Sequence, residues 1–368
     1  MRGSGMKILM TADTVGGVWT YAIELARALA PHGAQIGLAT MGNPLSCEQR
    51  RDVSYARNVT LYESEFQLEW MPDPWDDITR AGDWLLDLEA RFAPDVVHLN
   101  NFAHAALPWE APVMVVGHSC VLSWWRAVKG EDAPPQWEPY RRAVTRGLHS
   151  ADLVVAPSYA MMTALERHYA PLPPNRVIHN GRDASRYRAA EKHAYILSAG
   201  RAWDEAKNVA ALDAVAQDLP WPVLVAGDGV IGENLTALGQ LGAYELAEHL
   251  AHASIYALPA RYEPFGLSVL EAALCGCALV LGDIDSLREL WSDAAIFVPP
   301  DNSAALRRAL TLLIENYVVR QMLGQRARER AACYTPACMA EAYLAVYRGI
   351  LTPTLPAMQH VHPAVSQP

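Results

Sequence analysis

Excess positive charge is what this chain lacks first: 30 Lys plus Arg stand against 40 Asp plus Glu, a formal net charge of −10. A global electrostatic footprint for nucleic acid is therefore missing. Long apolar runs are missing too, since stretches such as residues 113–116 and 278–281 fall far short of the ~20 residues that span a bilayer. Cysteine is sparse. Cys47, Cys120, Cys275, Cys277, Cys333 and Cys338 make no disulfide framework in a chain of 368 residues, and no apolar signal region starts the sequence. The chain reads as cytoplasmic. Neither Cys275 with Cys277 nor Cys333 with Cys338 has the paired spacing of a zinc site, so small buried thiols in helices are the expected reading.

At one domain per ~150 residues the length predicts two domains, and two domains enclose a cleft. A composition 51% hydrophobic and 19% charged suits two packed cores and excludes general disorder. Residues 1–5 read as an added segment ahead of a natural start at Met6. From there short apolar runs at 8–11, 36–39, 96–99, 113–116 and 153–156 alternate with helical patterns at 19–29, 78–92, 137–148 and 160–169. Continuous apolar runs indicate strands covered on both faces, as in a parallel sheet. The polar interval 182–193 reads as a hinge. Beyond it the rhythm restarts, with runs at 195–199, 223–226, 255–258, 278–281 and 296–298 and helices near 209–217, 245–252 and 267–274. The result is two successive Rossmann-like α/β units, residues 6–184 and 185–335. Helical patterns follow at 303–316, 319–332 and 336–350, and the Pro-rich residues 353–368 are expected to form a disordered tail.

The segment from Arg261 to Gly276 follows a predicted strand and opens a helix. Gly266 lets a ligand approach the backbone, and the first amides of the helix suit phosphate oxygens. Glu271, about one and a half turns into the helix at ~1.5 Å per residue, could accept hydrogen bonds from a sugar hydroxyl. Glu263 supplies a second carboxylate before the turn. Two solvated acids flanking a turn is the plainer reading, and short motifs alone leave both open.

Glu263-Pro-Phe-Gly-Leu-Ser-Val-Leu-Glu271, with seven residues between the glutamates, resembles the signature of glycosyltransferase family 4, retaining enzymes of the GT-B fold. The resemblance covers nearly the whole chain. It extends to Gly16-Gly17, to His118 in Val-Val-Gly-His-Ser, to His179-Asn180-Gly181, to Gly200-Arg201 with Lys207-Asn208, and to Gly227-Asp228-Gly229. It implies two Rossmann-like domains facing across a cleft, with the helix at 336–352 returning to the first. The implied donor is a nucleoside diphosphate hexose, such as one on UDP or GDP, held mainly by the second unit, with the base left open among uracil, guanine and adenine. The acceptor, a sugar, lipid or small molecule, would be held mainly by the first. Catalytic roles are implied for His118, Glu263, Arg201 and Lys207, with Gly16, Gly17, Phe265, Gly266, Leu267 and Glu271 binding the donor. Arg201 and Lys207 would neutralise the leaving diphosphate, Glu271 would hold the ribose, and Glu263 and His118 would face the transferred sugar. Relatives usually have glycine after the lysine, where this chain has Asn208.

No cofactor or metal is expected. Asp283-Ile-Asp285 has the spacing of carboxylates that hold Mn²⁺ or Mg²⁺ in the other major transferase architecture, but enzymes of the GT-B type that this chain resembles need no metal. Trp109, Trp124, Trp125 and Trp137 could stack on an acceptor or fill the core. Arg141, Arg142 and Arg146 raise the question of a membrane surface, and a solvated helix face is the favoured reading. The competing functions are a nucleotide-sugar 2-epimerase of the same fold and a non-catalytic nucleotide-sugar-binding protein, which an assay of hydrolysis and transfer would separate.

Overall fold

The computed structural model describes residues 5–230 and 232–352, so the tail at 353–368 and all but Gly5 of the segment at 1–5 lie outside the described residues. The first unit is built on seven strands: β1 (Lys7–Asp13), β2 (Gln35–Met41), β3 (Val59–Glu63), β4 (Val96–Leu99), β5 (Val113–Val116), β6 (Leu153–Ala156) and β7 (Asn175–Val177). They lie in the order β3-β2-β1-β4-β5-β6-β7, and every pairing is parallel. The second unit has six: β8 (His193–Ala199), β9 (Val223–Ala226), β10 (Thr236–Gly239), β11 (Ala253–Leu258), β12 (Ala278–Gly282) and β13 (Ala295–Val298), in the parallel order β10-β9-β8-β11-β12-β13.

Both sheets are doubly wound, and the physical cause is visible in the strands. β4, β5 and β6 are buried at every residue, which requires helices on both faces. Winding outward from the first strand in both directions leaves a crevice where the order reverses, between β1 and β4 and again between β8 and β11. Ligands collect in such crevices at the carboxyl ends of strands. The two switch points therefore present Asp13 and Asn100 from one unit, and Arg201 with the loop that carries Glu263 from the other.

The chain passes between the units twice. Where the two passages meet, the Arg182 amide donates to the Tyr334 carbonyl at 3.0 Å. Thr335 then caps the helix Pro336–Leu351, its side chain accepting from the Cys338 amide, with proline pre-set at the first turn. This helix packs on the first unit: Met339, Tyr343 and Tyr347 join Ile8, Met10, Tyr21 and Leu25 in one core. Burying each such side chain stabilises by about 1.5–3 kcal/mol, so the last helix belongs energetically to the first unit. Leu197, Tyr256, Leu270 and Trp291 centre the second.

The hinge reading of 182–193 is corrected at its first residue. Arg182 is buried, not solvated, and donates to Glu24 at 2.6 Å from one nitrogen while its other terminal nitrogen stands 2.8 Å from Glu271.

Candidate active site

A cavity of about 860 Å³ lies between the units. Every residue assigned a catalytic or donor-binding role by the family resemblance lines it: Gly16, Gly17, His118, Arg201, Lys207, Glu263, Phe265, Gly266, Leu267 and Glu271. The glutamate loop is shaped by Gly266, whose φ of +84° is a left-handed conformation that side chains resist; an added Cβ would stand 3.1 Å from Val269. The helix Leu267–Leu274 starts there, at the cavity wall, so the partial positive charge of its first turn faces the space. Gly16, at φ +95°, brings the first unit's loop against the second: a Cβ on it would lie 3.6 Å from an Arg201 nitrogen, and one on Gly17 would lie 3.5 Å from Leu267. The glycine pair and the two cations thus face one volume from opposite sides.

The charges are already paired. Lys207 Nζ lies 2.5 Å from Glu263 Oε2, and Arg201 Nη2 lies 3.0 Å from Asp204 Oδ2. Glu263 is further held through its carbonyl, which accepts from Ser286 Oγ at 2.5 Å. Contacts across the cleft fix the surrounding loops: Trp124 Nε1 donates to Asp204 at 2.9 Å, the Cys120 amide to Tyr262 Oη at 3.1 Å, and Ser158 Oγ to the Pro264 carbonyl at 2.7 Å.

Asn208 resolves the family's missing glycine. It adopts φ +56°, where Asn is among the few side chains tolerated, and its amide donates to the carbonyls of Pro259 at 2.8 Å and Pro300 at 2.9 Å. Asn208→Gly is expected to lose only the buried hydrogen bonds, whereas Asn208→Ala adds about 1 kcal/mol of left-handed strain. Urea unfolding of the two variants, compared with each other, measures that difference.

His118 sits at the carboxyl edge of β5 and is oriented from behind. Asn100 Nδ2 donates to the Thr11 carbonyl at 2.7 Å, which turns Oδ1 toward His118 Nε2 at 2.8 Å and His98 Nε2 at 3.3 Å. Both imidazoles therefore carry their proton on Nε2, and His98 Nδ1 accepts from Tyr347 Oη at 2.6 Å. Burial lowers the pKa of His118 to about 3, and burial with the His118 charge lowers that of His98 to about 3 as well. A neutral His118 can face a centre that becomes positive without repelling it.

Asp13, at the end of β1, has the opposite perturbation. Burial raises its pKa to about 7, against the opposing Val15 amide at 2.5 Å, the Arg201 charge and the Trp70 indole. A carboxyl whose folded pKa lies above its ordinary 3.8 favours the fold at low pH and loses that contribution as pH rises through about 7. Asp13→Asn is therefore expected to raise the melting temperature relative to wild type more at pH 8 than at pH 5. A difference that is flat across that window, followed by thermal unfolding, would contradict it.

The remaining candidates divide between the readings considered for them. Trp124, Trp125 and Trp137 line the cavity, but Trp109 donates to the His104 carbonyl at 2.8 Å and packs in the core. Arg141 and Arg142 both pair with Glu138 on the helix Glu138–Ser150. Asp283 is bound by Arg288, and among the described residues no cluster of three or more His, Cys, Asp or Glu forms a ligand set. No helix among the described residues is long and apolar enough to cross a membrane. Sequence reasoning missed Asn100 and Asn101, although they follow the apolar run at 96–99 as His118 follows its own, and their place at the carboxyl edge is the signal that would find them. Glu69 and Trp70 lie in an irregular segment with no periodicity to mark them.

Comparison with known proteins agrees with this geometry. The profile described as Glycosyltransferase Family 4 matches residues 15–186, and that described as Glycosyl transferases group 1 matches residues 182–330. A glycogen synthase of Mycobacterium tuberculosis is 26% identical, over 97% of this chain and 100% of its own. A phosphatidyl-myo-inositol mannosyltransferase of Mycobacterium leprae is 24% identical, over 95% and 97%. Among solved structures, a sucrose-phosphate synthase of Thermosynechococcus elongatus superposes with a TM-score of 0.79 at 18% identity, covering 94% of this chain and 99% of that one. Anabaena HepE, solved with UDP and glucose, gives 0.74 at 17% identity, covering 93% and 99%. Two doubly wound domains closing on a cleft of this composition define a glycosyltransferase of the GT-B architecture. The chain belongs to the family 4 glycosyltransferases.

Proposed function

We propose that this glycosyltransferase moves a hexose from a nucleoside diphosphate sugar to an acceptor with retention at the anomeric carbon. The observation that carries the reading is the meeting of Arg201, Lys207, Glu263 and Glu271 from the second unit with Gly16, Gly17 and His118 from the first in one cavity. Solved relatives in fold that hold UDP and UDP-glucose support a nucleotide-sugar donor. The diphosphate lies between the two cations and the amides of the glycine loop and of the helix Leu267–Leu274, and the ribose hydroxyls lie at Glu271.

As the bond from the anomeric carbon to the phosphate oxygen breaks, Arg201 and Lys207 take up the negative charge, which draws Lys207 away from its resting pair with Glu263. The acceptor oxygen bonds to the anomeric carbon from the same face, and its proton passes to the departing phosphate oxygen. No side-chain base is needed. Positive charge from these side chains also leaves no step that requires a metal. Six free thiols support a reducing, cytoplasmic setting.

A panel of labelled nucleoside diphosphate hexoses carrying uracil, guanine or adenine, followed for sugar release and transfer, tests the reading. Turnover of one member is expected, with its parent diphosphate as competitive product. Binding without any turnover across the panel would contradict it. His118→Ala is expected to lower kcat by about 10²-fold while diphosphate affinity by calorimetry stays within about twofold.

A further inference from the structure

The first unit's share of the cavity has a charge and surface that select among acceptors. The cations lining the cavity are Arg201 and Lys207, and both belong to the second unit. On the first unit's side the carboxyl groups are Asp13 and Glu69, beside the neutral His118. Glu69 is buried and accepts from the amides of Phe102 and Ala103, at 2.8 Å from the latter, so its carboxyl is fixed at the wall. Asn101 supplies a second kind of signal: it lines the cavity, and its Oδ1 is buried with no hydrogen-bond partner among the described residues. An unpartnered buried acceptor destabilises the fold unless a ligand donor meets it. Around these oxygens stand the half-buried indoles of Trp70, Trp125 and Trp137.

Resting on the proposed transfer reaction, we propose that the acceptor is an uncharged, hydroxyl-rich molecule, a neutral sugar or glycan, and that Asp13 and Asn101 receive its hydroxyl donors while the indoles cover its C–H faces. A carboxylate oxygen and an amide oxygen want donors, which hydroxyls supply and a phosphate dianion does not. Flat indoles offer large apolar area against the axial hydrogens of a sugar ring. A phosphorylated acceptor would bring its negative charge beside the carboxyls of Asp13 and Glu69, where the described residues of the first unit line the cavity with no cation and the nearest one, Arg201 of the second unit, is engaged by the donor diphosphate, so like charges would be set against each other.

The test is read as binding and needs no turnover. Tryptophan fluorescence of the full chain, saturated with whichever nucleoside diphosphate binds it by calorimetry, is titrated with matched probes: glucose against glucose 6-phosphate, myo-inositol against myo-inositol 1-phosphate, and maltotetraose. At least one neutral probe is expected to give a saturating change at tenfold lower concentration than its phosphorylated counterpart or, for maltotetraose, than glucose 6-phosphate. Asp13→Asn is expected to weaken that neutral probe severalfold, and Asp13→Lys to reverse the preference. Phosphorylated probes binding as tightly as neutral ones, no neutral probe binding, or unchanged affinity in a folded Asp13→Asn chain would each overturn the assignment. Failure of every nucleoside diphosphate in the preceding calorimetry would instead count against the transfer reaction, and the titration is then run on the unliganded chain.

Discussion

Exchange of Arg182 for methionine is expected to cost about 3–5 kcal/mol of stability, because it leaves two carboxylates buried without their cation. The side chains of Arg182, Glu24 and Glu271 are 4%, 6% and 8% exposed, so water cannot take over the lost interactions. Burial opposes the charge of Arg182, but Glu271, Tyr187 and Glu24 more than offset it. Glu24 belongs to the helix Gly17–Leu29 of the first unit and Glu271 to the helix Leu267–Leu274 of the second, so one guanidinium ties both halves of the donor site. Net stabilities are about 5–15 kcal/mol, and the single variant should unfold at a much lower urea concentration. Adding Glu24→Gln and Glu271→Gln to Arg182→Met should recover most of the loss, since the buried charges are then gone together. A single variant as stable as wild type would mean that the triad is not held in this arrangement.

Replacement of Glu263 by alanine is expected to lower kcat by about 10²–10³-fold, equivalent to about 2.7–4 kcal/mol of transition-state stabilisation. Its effect on nucleoside diphosphate affinity should be small or of opposite sign. The reason is the resting pair: Lys207 Nζ lies 2.5 Å from Glu263, and removing the carboxylate leaves the ammonium free for phosphate. Arg201→Ala should behave in the converse way, with affinity for the diphosphate falling along with turnover, because a guanidinium can hold two phosphate oxygens at fixed geometry. Calorimetry and steady-state kinetics on the same preparations separate the two patterns. Equal loss of affinity in Glu263→Ala and Arg201→Ala would remove the distinction between sugar-facing and phosphate-facing groups.

Legibility in the sequence follows burial. The inner strands β4, β5, β6, β9 and β12 stand out because both faces are covered and every residue is apolar or nearly so. β3, β7 and β10 carry no apolar run, and all three are edge strands, half-buried or exposed along their length. An edge strand is covered on fewer sides, so its composition carries less of the sheet's signature. The helix Val121–Lys129 is invisible in the sequence for a related reason: only Leu122 and Ser123 of it are buried, and the rest faces the cleft or solvent. Site residues attached to an apolar run or a glycine turn, such as His118, Arg201 and Glu263, can be placed by that attachment. Arg182 cannot, because its partners lie 158 and 89 residues away and nothing local distinguishes a buried arginine from a hinge arginine. The same holds for the line from Tyr347 through His98 and Asn100 to His118, which joins the last helix to the site.

Transfer with retention from the sugar nucleotide held in this cleft is the central claim, and the anomeric configuration of the product tests it most directly. Proton NMR of the glycoside formed from a nucleoside diphosphate α-hexose, recorded during the first turnovers before any spontaneous equilibration, reads that configuration from the anomeric coupling. Same-face attack predicts an α-linked product, with His118→Ala and Glu263→Ala forming the same anomer more slowly. A β-linked product from the α-donor would contradict same-face attack, and with it the roles of Arg201, Lys207 and the leaving phosphate.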